Sequence, residues 1–347
     1  MSPTPSRREL GRGERVLPGL WRLRLPLPWP GVPHCNAWAI AAGDGIVLVD
    51  CGMHQPGSAA QLEQAMSQVG LRLEEVRLLL ITHAHSDHWG QAGTVVDRAG
   101  CEMWMHPNHR HATAGETDPA QTLRRRLEVA RQSGVPEAAL QRYAEHLREM
   151  PSGIARLVRP DRDLVDGVMV DSDLGSWRVY ETPGHAPSHI CLFQAERRLL
   201  ISGDHLLGRI SLYYDYGWSP DPIAEFQSSL DVVAGLDARL CMSGHGRTFT
   251  DIRAHIAGNR ELVAARLEGA WRGLQERERT ALELVPAIFG EPITEATAGW
   301  RLTETMCYLN HLERTGRVER RAGDSGAEVW QAAGGGDRVT EKRELQP

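Results

Sequence analysis

Four residues with metal-binding side chains fall within six positions of one another: His83, His85, Asp87 and His88, in the segment HAHSDH. His83 and His85 are two apart on a loop leaving the apolar run VRLLLIT, so both imidazoles can project to one side and share a cation. Asp87 and His88 lie one step further on and can reach a second cation. Neutral imidazole and carboxylate suit Zn, Fe or Mn better than Ca or Mg. The alternative is a His-rich polar loop, and placement directly after an apolar strand speaks against it. Three more segments repeat the same local grammar: YETPGHAPSH places His185 after a strand, RLLISGDHLL places Asp204 at a strand end, and RLCMSGHG does the same for His245. Each of these three residues follows a Gly, which lets the backbone turn tightly. Loops from one edge of a layered fold can converge on one point.

The elements that must deliver these residues are readable from periodicity. Residues 16–50 are extended, with NAWAIAAGDGIVLVD reading as a hairpin. Residues 58–69 and 90–99 read as helices, and 76–82 and 101–106 as strands. The run VRLLLIT is apolar on consecutive residues, as expected when both faces of a sheet are covered. Residues 119–149 read as an Arg-rich helical pair broken at Ser133–Pro136, an insertion (about 116–150) lying over the site. Strands resume through about residue 203 and again at 238–246, and helices dominate from 251 to about 285. Asp50 ends the strand GIVLVD and is expected to orient a ligand His by hydrogen bonding. His189 is either another such partner or structural, and His205, beside Asp204, is expected to point away.

Composition narrows the chemistry. Lys342 is the single Lys of the 347-residue chain. This excludes Schiff-base chemistry and a P-loop lysine in the body of the protein. The six Cys form no C-x-x-C pair and several sit in strand-like runs, which fits buried hydrophobes in a reduced, cytoplasmic protein. The formal net charge of -6 argues against non-specific nucleic-acid binding. The N-terminus has no apolar signal core, and no run approaches the ~18 residues of a membrane span.

In the order GIVLVDCG, THAHSDHWG, TPGHAPSH, SGDHLL and SGHG, across residues 20–250, the chain resembles the metallo-β-lactamase superfamily, in its glyoxalase-II-like branch. The resemblance implies an α/β fold, an αββα sandwich of two sheets face to face with helices outside. It implies that His83, His85 and His185 hold one metal, that Asp87, His88 and His245 hold another, and that Asp204 bridges them. Two cations ~3.5–4 Å apart share a water and lower its pKa toward ~7, which supplies a bridging hydroxide as nucleophile. Asp87 is then the candidate to carry a proton to the leaving group. An Asp at 204 favours thioesters, lactones and phosphodiesters over β-lactams.

Weaker signals complete the reading. His106, His109 and His111 (HPNHRH) lack nearby carboxylates and are expected on a surface loop. Tyr213, Tyr214 and Trp218 follow the Asp204 segment and are expected to line a substrate pocket. Arg124–Arg126 is expected to be a solvated face. Residues 259–332 resemble a small winged-helix-like domain, for which a packing, lid or homodimer role is preferred, since its acidic residues outnumber its basic ones. The expected boundaries are a disordered 1–15, a catalytic domain over 16–258, and a flexible tail over 333–347. The expected function is metal-dependent hydrolysis of a small-molecule acyl substrate, a thioester or ester. The alternatives, in order, are single-stranded RNA cleavage, lactone hydrolysis and a non-enzymatic ligand sensor or scaffold.

Overall fold

The structure is a computed structural model that describes residues 10–29, 31–294, 297–323 and 326–333. Residues 1–9 of the expected disordered N-terminus and 334–347 of the expected tail lie outside the described residues. The remainder of the N-terminal expectation is corrected. Arg12–Leu17 forms strand β1, paired antiparallel with β2 (Leu20–Trp29). Its sequence RGERVL is polar, so hydropathy does not reveal it. Gly11 and Gly13 let it lie against helix α1 (Ser58–Ser67), where Gly11 and Gly13 N–H donate to Gln61 and Gln68 side chains at 2.5 and 3.0 Å.

The first sheet continues through β3 (Val32–Ala42), β4 (Gly45–Val49), β5 (Val76–Leu80), β6 (Glu102–Met105) and β7 (Arg162–Asp163). Strands β1 to β4 are antiparallel neighbours, and β4 to β7 are parallel neighbours. The second sheet has the order β12-β11-β10-β9-β8, built from β8 (Met169–Ser172), β9 (Gly175–Glu181), β10 (Ile190–Gln194), β11 (Leu199–Gly203) and β12 (Leu240–Ser243).

Alternation along these strands builds three apolar layers. Trp38, Ile40, Val47 and Val49 of the first sheet meet Trp177, Val179, Ile190, Leu192 and Ile201 of the second. The opposite face of the first sheet, with Ala37, Ala39, Ile46 and Leu48, packs on Leu62 and Met66 of α1 and on Val95 of α3 (Ala92–Ala99). The opposite face of the second sheet, with Cys191, Phe193, Leu200 and Cys241, packs beneath α7 (Pro222–Ala234) and α8 (Ile252–Glu276). Both faces of both sheets are covered, which is why the strands read as unbroken apolar runs. All six Cys are free and buried in these layers.

Along the first sheet the chain makes α2 (Ser86–Trp89) between β5 and β6, and α4 (Arg110–Thr117), α5 (Pro119–Gln132) and α6 (Glu137–Glu149) between β6 and β7. After α8 come α9 (Ala281–Phe289), α10 (Ala298–Arg314) and the hairpin β13 (Val318–Ala322) and β14 (Glu328–Ala332). Thr280 and Glu283 cap α9 reciprocally, and Gly290 ends it in the left-handed region. Met306, Cys307, Tyr308 and Leu309 of α10 belong to the same contiguous core as the second sheet. No described helix is long and apolar enough to cross a membrane.

One buried acid in this layer couples folding to pH. Glu304 of α10 is 3 % exposed and accepts a 2.7 Å hydrogen bond from the Tyr308 hydroxyl. Burial pushes its carboxyl from the ordinary 4.5 up to about 7, against the opposing pull of that hydroxyl and of Arg301. The unfolded chain releases this proton near 4.5, while the folded protein keeps it until about 7. The contribution to stability is therefore full below 4.5 and is lost as pH rises through the window to about 7. Glu304→Gln keeps an acceptor for Tyr308 without the ionisation. It is expected to exceed wild type in stability by about 1–3 kcal/mol at pH 8, with most of the difference gone at pH 5. Urea unfolding of both proteins at the two pH values checks this, and a pH-independent difference would refute it.

Candidate metal centre

Five loops leave the same edge of the two sheets. β4 runs into Asp50, β5 into Thr82 and His83, β9 into His185, β11 into Asp204 and β12 into His245. Asp50 takes φ 61, an uncommon conformation for a side chain larger than Gly, and is held there from several sides. Its N–H donates to Leu80 O at 2.8 Å, and its Oδ1 accepts from Thr82 N–H at 2.8 Å. Glycine is required where the loops touch. A Cβ on Gly203 would stand 2.6 Å from His189 Nε2, and one on Gly244 would collide with Asp204 Oδ1 and His88 Cε1.

The hydrogen bonds fix the tautomer of every candidate His. His88 Nδ1 donates to Asp50 Oδ2 at 2.9 Å, His185 Nδ1 to Tyr213 O at 3.0 Å, and His245 Nδ1 to His34 O at 2.8 Å. His85 Nε2 donates to Asp215 Oδ2 at 2.9 Å. The Thr82 hydroxyl gives its one proton to Asp50 Oδ2 at 2.9 Å, so its oxygen accepts from His83 Nδ1 at 3.0 Å. Carbonyls and carboxylates only accept, so the bonded nitrogen of each ring carries a hydrogen and the other is the one left to take a metal or a further proton. Those five second nitrogens all turn inward. His85 Nδ1 and His185 Nε2 stand 3.0 Å apart. Asp204 lies among them, with its oxygens 3.1 Å from His245 Nε2, 3.4 Å from His88 Nε2 and 3.8 Å from His185 Nε2. Asp87 Oδ2 is 3.2 Å from His245 Nε2 and 3.5 Å from His88 Nε2.

This arrangement fits divalent cations. His83 Nε2, His88 Nε2 and Asp204 Oδ1 are buried with no hydrogen-bond partner, and such atoms in a folded protein require an explanation. Lone pairs 3.0 Å apart repel unless a positive charge lies between them. The sets His83–His85–His185, His83–His88–Asp204 and Asp87–His88–His245 each bring their donor atoms within 4.8 Å of one another and could hold a metal ion. Electrostatics agree. Burial and its His neighbours push His83 well below its ordinary range, and burial with His85 brings His185 down to about 4, so both stay neutral. At His245, burial is overcome by Asp204 and Asp87, which raise it to about 10, and His88 is raised well above its range by Asp87, Asp204 and Asp50. The carboxylates of this donor set thus demand positive charge, which a metal can supply in place of protons.

The seven sequence-predicted donors, His83, His85, Asp87, His88, His185, Asp204 and His245, therefore come together in one cluster. Asp50 orients His88 directly and His83 through Thr82. His189 accepts from Asp204 N–H at 3.0 Å and shares a 2.8 Å hydrogen bond with Thr182, so it fixes the backbone of Asp204. His205 packs on Phe226, apart from the donor cluster. The aromatic expectations need correction. Tyr214 is fully buried against Phe226 and Tyr308 and lines no pocket, because its side chain faces the layer under α10. Tyr213 packs on His85 and His185, but its hydroxyl donates to Asp215 Oδ1 at 3.3 Å. Trp218 is 37 % exposed, beneath the Arg125 guanidinium at 4.0 Å, so Arg125 is not simply solvated. The HPNHRH segment is not a free surface loop either. His106 is buried beside Glu181, and His111 reaches the centre, bonding Asp215 at 2.8 Å and Ser188 at 2.8 Å. Asp215, within the same Tyr213–Trp218 segment, is a further functional residue that no local sequence pattern marks.

The metallo-β-lactamase superfamily model matches residues 30–245. Probable metallo-hydrolase YqjP of Bacillus subtilis (strain 168) is 26% identical over 298 residues, which is 84% of this chain and 91% of that protein. Atrochrysone carboxyl ACP thioesterase of Claviceps purpurea (strain 20.1) is 25% identical over 284 residues, 77% of this chain and 71% of that protein. Among solved structures, a metallo-beta-lactamase family protein from Thermus thermophilus superposes with TM-score 0.78 at 26% identity, over 92% of this chain and 100% of its own. A beta-lactamase domain protein from Burkholderia ambifaria superposes with TM-score 0.74 at 26% identity, over 95% and 96%. By its sequence match, its fold and its inward-turned donor set, the chain belongs to the metallo-β-lactamase superfamily of hydrolases.

Proposed function

We propose that this hydrolase holds two zinc ions and cleaves a small acyl compound, a thioester first among the candidates. The observation that carries the reading is the set of five imidazoles whose hydrogen-bonded nitrogens face out and whose lone pairs face in. His83, His85 and His185 would hold one ion, Asp87, His88 and His245 the other, with Asp204 between them. Imidazole and carboxylate donors without thiolate suit zinc, with iron or manganese as the substitutes. Bound there, the metals would supply a solvent nucleophile ionised at neutral pH and an electrophile for the scissile carbonyl.

The chain's own residues do the rest. Asp50, Asp215 and the carbonyls of Tyr213 and His34 hold these four rings in place before anything binds. Asp87 is the residue we assign to carry a proton to the leaving group; its Oδ2 stands 3.2 Å from His245 Nε2 and 3.5 Å from His88 Nε2. Trp218 and Arg125 supply an apolar face and a cation near His111, suited to an acyl group with an anionic carrier. Support for the thioester comes from relatives named as ACP thioesterases at 25% and 21% identity.

Metal analysis of the purified protein is expected to give two equivalents of a divalent metal. A screen of acyl thioesters, lactones, β-lactams, a phosphodiester and short RNA is expected to show thioester cleavage. His85→Ala should lower that activity at least about 100-fold. Retention of full activity in His85→Ala would end the metal mechanism, and cleavage of RNA with acyl substrates untouched would replace the substrate assignment. Gly244→Ala offers an independent check. Its methyl group would press on Asp204 and His88, so the variant should lose at least one metal equivalent while remaining folded by circular dichroism. Full metal content in that variant would contradict the packing described.

A further inference from the structure

We propose that Asp215 is a positioning residue that holds His85 ready for its metal, and that His111 of helix α4 locks Asp215 in that role. The metal part of this inference rests on the reading above, while the positioning itself stands on hydrogen bonds within the protein. Asp215 Oδ2 accepts from His85 Nε2 at 2.9 Å and from His111 Nδ1 at 2.8 Å, and Oδ1 accepts from the Tyr213 hydroxyl at 3.3 Å. His85, His111 and Asp215 together have the composition of a metal site, and their donor atoms lie within 4.8 Å of one another. The hydrogen bonding points to a relay instead. His111 shares its second nitrogen with Ser188 at 2.8 Å, and Ser188 in turn accepts from Ala84 N–H at 3.0 Å. Every ring nitrogen of His111 is thus engaged, and its side chain is 1% exposed.

The backbone of Asp215 is committed to the same task. Its N–H donates to His185 O at 3.2 Å, while Tyr213 O two residues earlier accepts from His185 Nδ1 at 3.0 Å. One short segment, 213–215, therefore sets the tautomer of two donors to the same metal. Asp215 does so with a carboxylate, which also makes the inward nitrogen of His85 more electron-rich. Burial opposes the charge on Asp215, but His85 and His111 outweigh it and hold the carboxyl well below its ordinary range. Helix α4, which carries His111, is thereby wired to the centre through Asp215 and Ser188. The helix that leads into the insertion has a defined mechanical connection to the donor set.

The test uses the full-length protein with its histidines 15N-labelled, together with zinc competition against a chromophoric chelator. In metal-free wild type, His85 is expected to be the Nε2–H tautomer, and Asp215→Ala is expected to mix the two tautomers. Zinc affinity should fall roughly 10–100-fold in Asp215→Ala and by less in Asp215→Asn, which keeps an acceptor oxygen without the charge. His111→Ala should weaken zinc, and His111→Asn, whose amide can replace the Nδ1 donor, should recover part of the loss. That recovery would not follow from general destabilisation, and it serves as the readout if Asp215→Ala fails to fold. An Nδ1–H tautomer of His85 in wild type would overturn the assignment. So would zinc affinity in folded Asp215→Ala within about twofold of wild type. If wild type binds no zinc yet His85 shows the expected tautomer and its loss in Asp215→Ala, the two-metal reading fails and the positioning assignment survives.

Discussion

The centre depends on one constraint: an imidazole has two nitrogens, and only the one without hydrogen can hold a cation. Each of the five rings solves this from outside. A carboxylate, a carbonyl or an already committed hydroxyl accepts the N–H, and the lone pair is left facing the interior. Because acceptors of this kind cannot donate, the wrong tautomer would leave a lone pair facing a lone pair in a buried site. That arrangement costs about the desolvation of an unmet polar group, of order 1–3 kcal/mol per ring. Five such biases, acting together, pre-organise the donor set before anything binds.

Holding these acceptors requires the two-sheet layer. Asp50 serves His88 directly and His83 through Thr82, and it does so from a left-handed conformation at the end of β4. A residue in that conformation costs of order 1–3 kcal/mol, tolerable because bonds to Leu80 O and Thr82 N–H fix it in place. The parallel pairing of β4 with β5 brings those two strand ends side by side. The parallel pairing of β11 with β12 does the same for Asp204 and His245 in the second sheet. The inner apolar layer, from Trp38 to Met242, then sets the distance between the two pairs.

The sequence discloses the donors and conceals much of their support. HAHSDH and the three Gly-flanked strand ends were legible because each donor is local to a strand end, and local patterns survive in one dimension. The same holds for Asp50 and for the helical pair of the insertion, whose break falls where it was expected, between α5 and α6. Asp215 was not legible. Its partners lie 130 and 104 positions away, at His85 and His111, and no local pattern marks a carboxylate that acts at such range. Tyr214 was misassigned for a related reason. Three tyrosines in four positions share a composition, but alternation sends Tyr213 toward the donors and Tyr214 into the core. Strand β1 escaped because its stability comes from pairing with β2 and contact with α1, neither of which its polar side chains report.

The C-terminal helices acquire a reason to exist from the same constraint. Segment 213–221 is irregular, and an irregular segment that orients two histidines of the donor set must be held by something stiffer than itself. α10 supplies that support. Cys307 lies against Tyr214 O, the Tyr308 ring packs edge-on to Tyr214, Asn310 donates to Pro220 O at 2.6 Å, and His311 bonds Asp221 at 2.9 Å. Asp221 in turn caps α7 through Ala224 N–H at 3.1 Å. The insertion is braced from the same side, since Leu282 N–H of α9 donates to Ser133 O at the α5–α6 turn. Segment 213–221 and the α5–α6 turn are thus both fastened to the C-terminal helices. Those helices share one apolar core with the second sheet, which carries Asp204 and His245. Support and donors are joined through a single packed layer, so the outer helices brace the centre from outside the donor set.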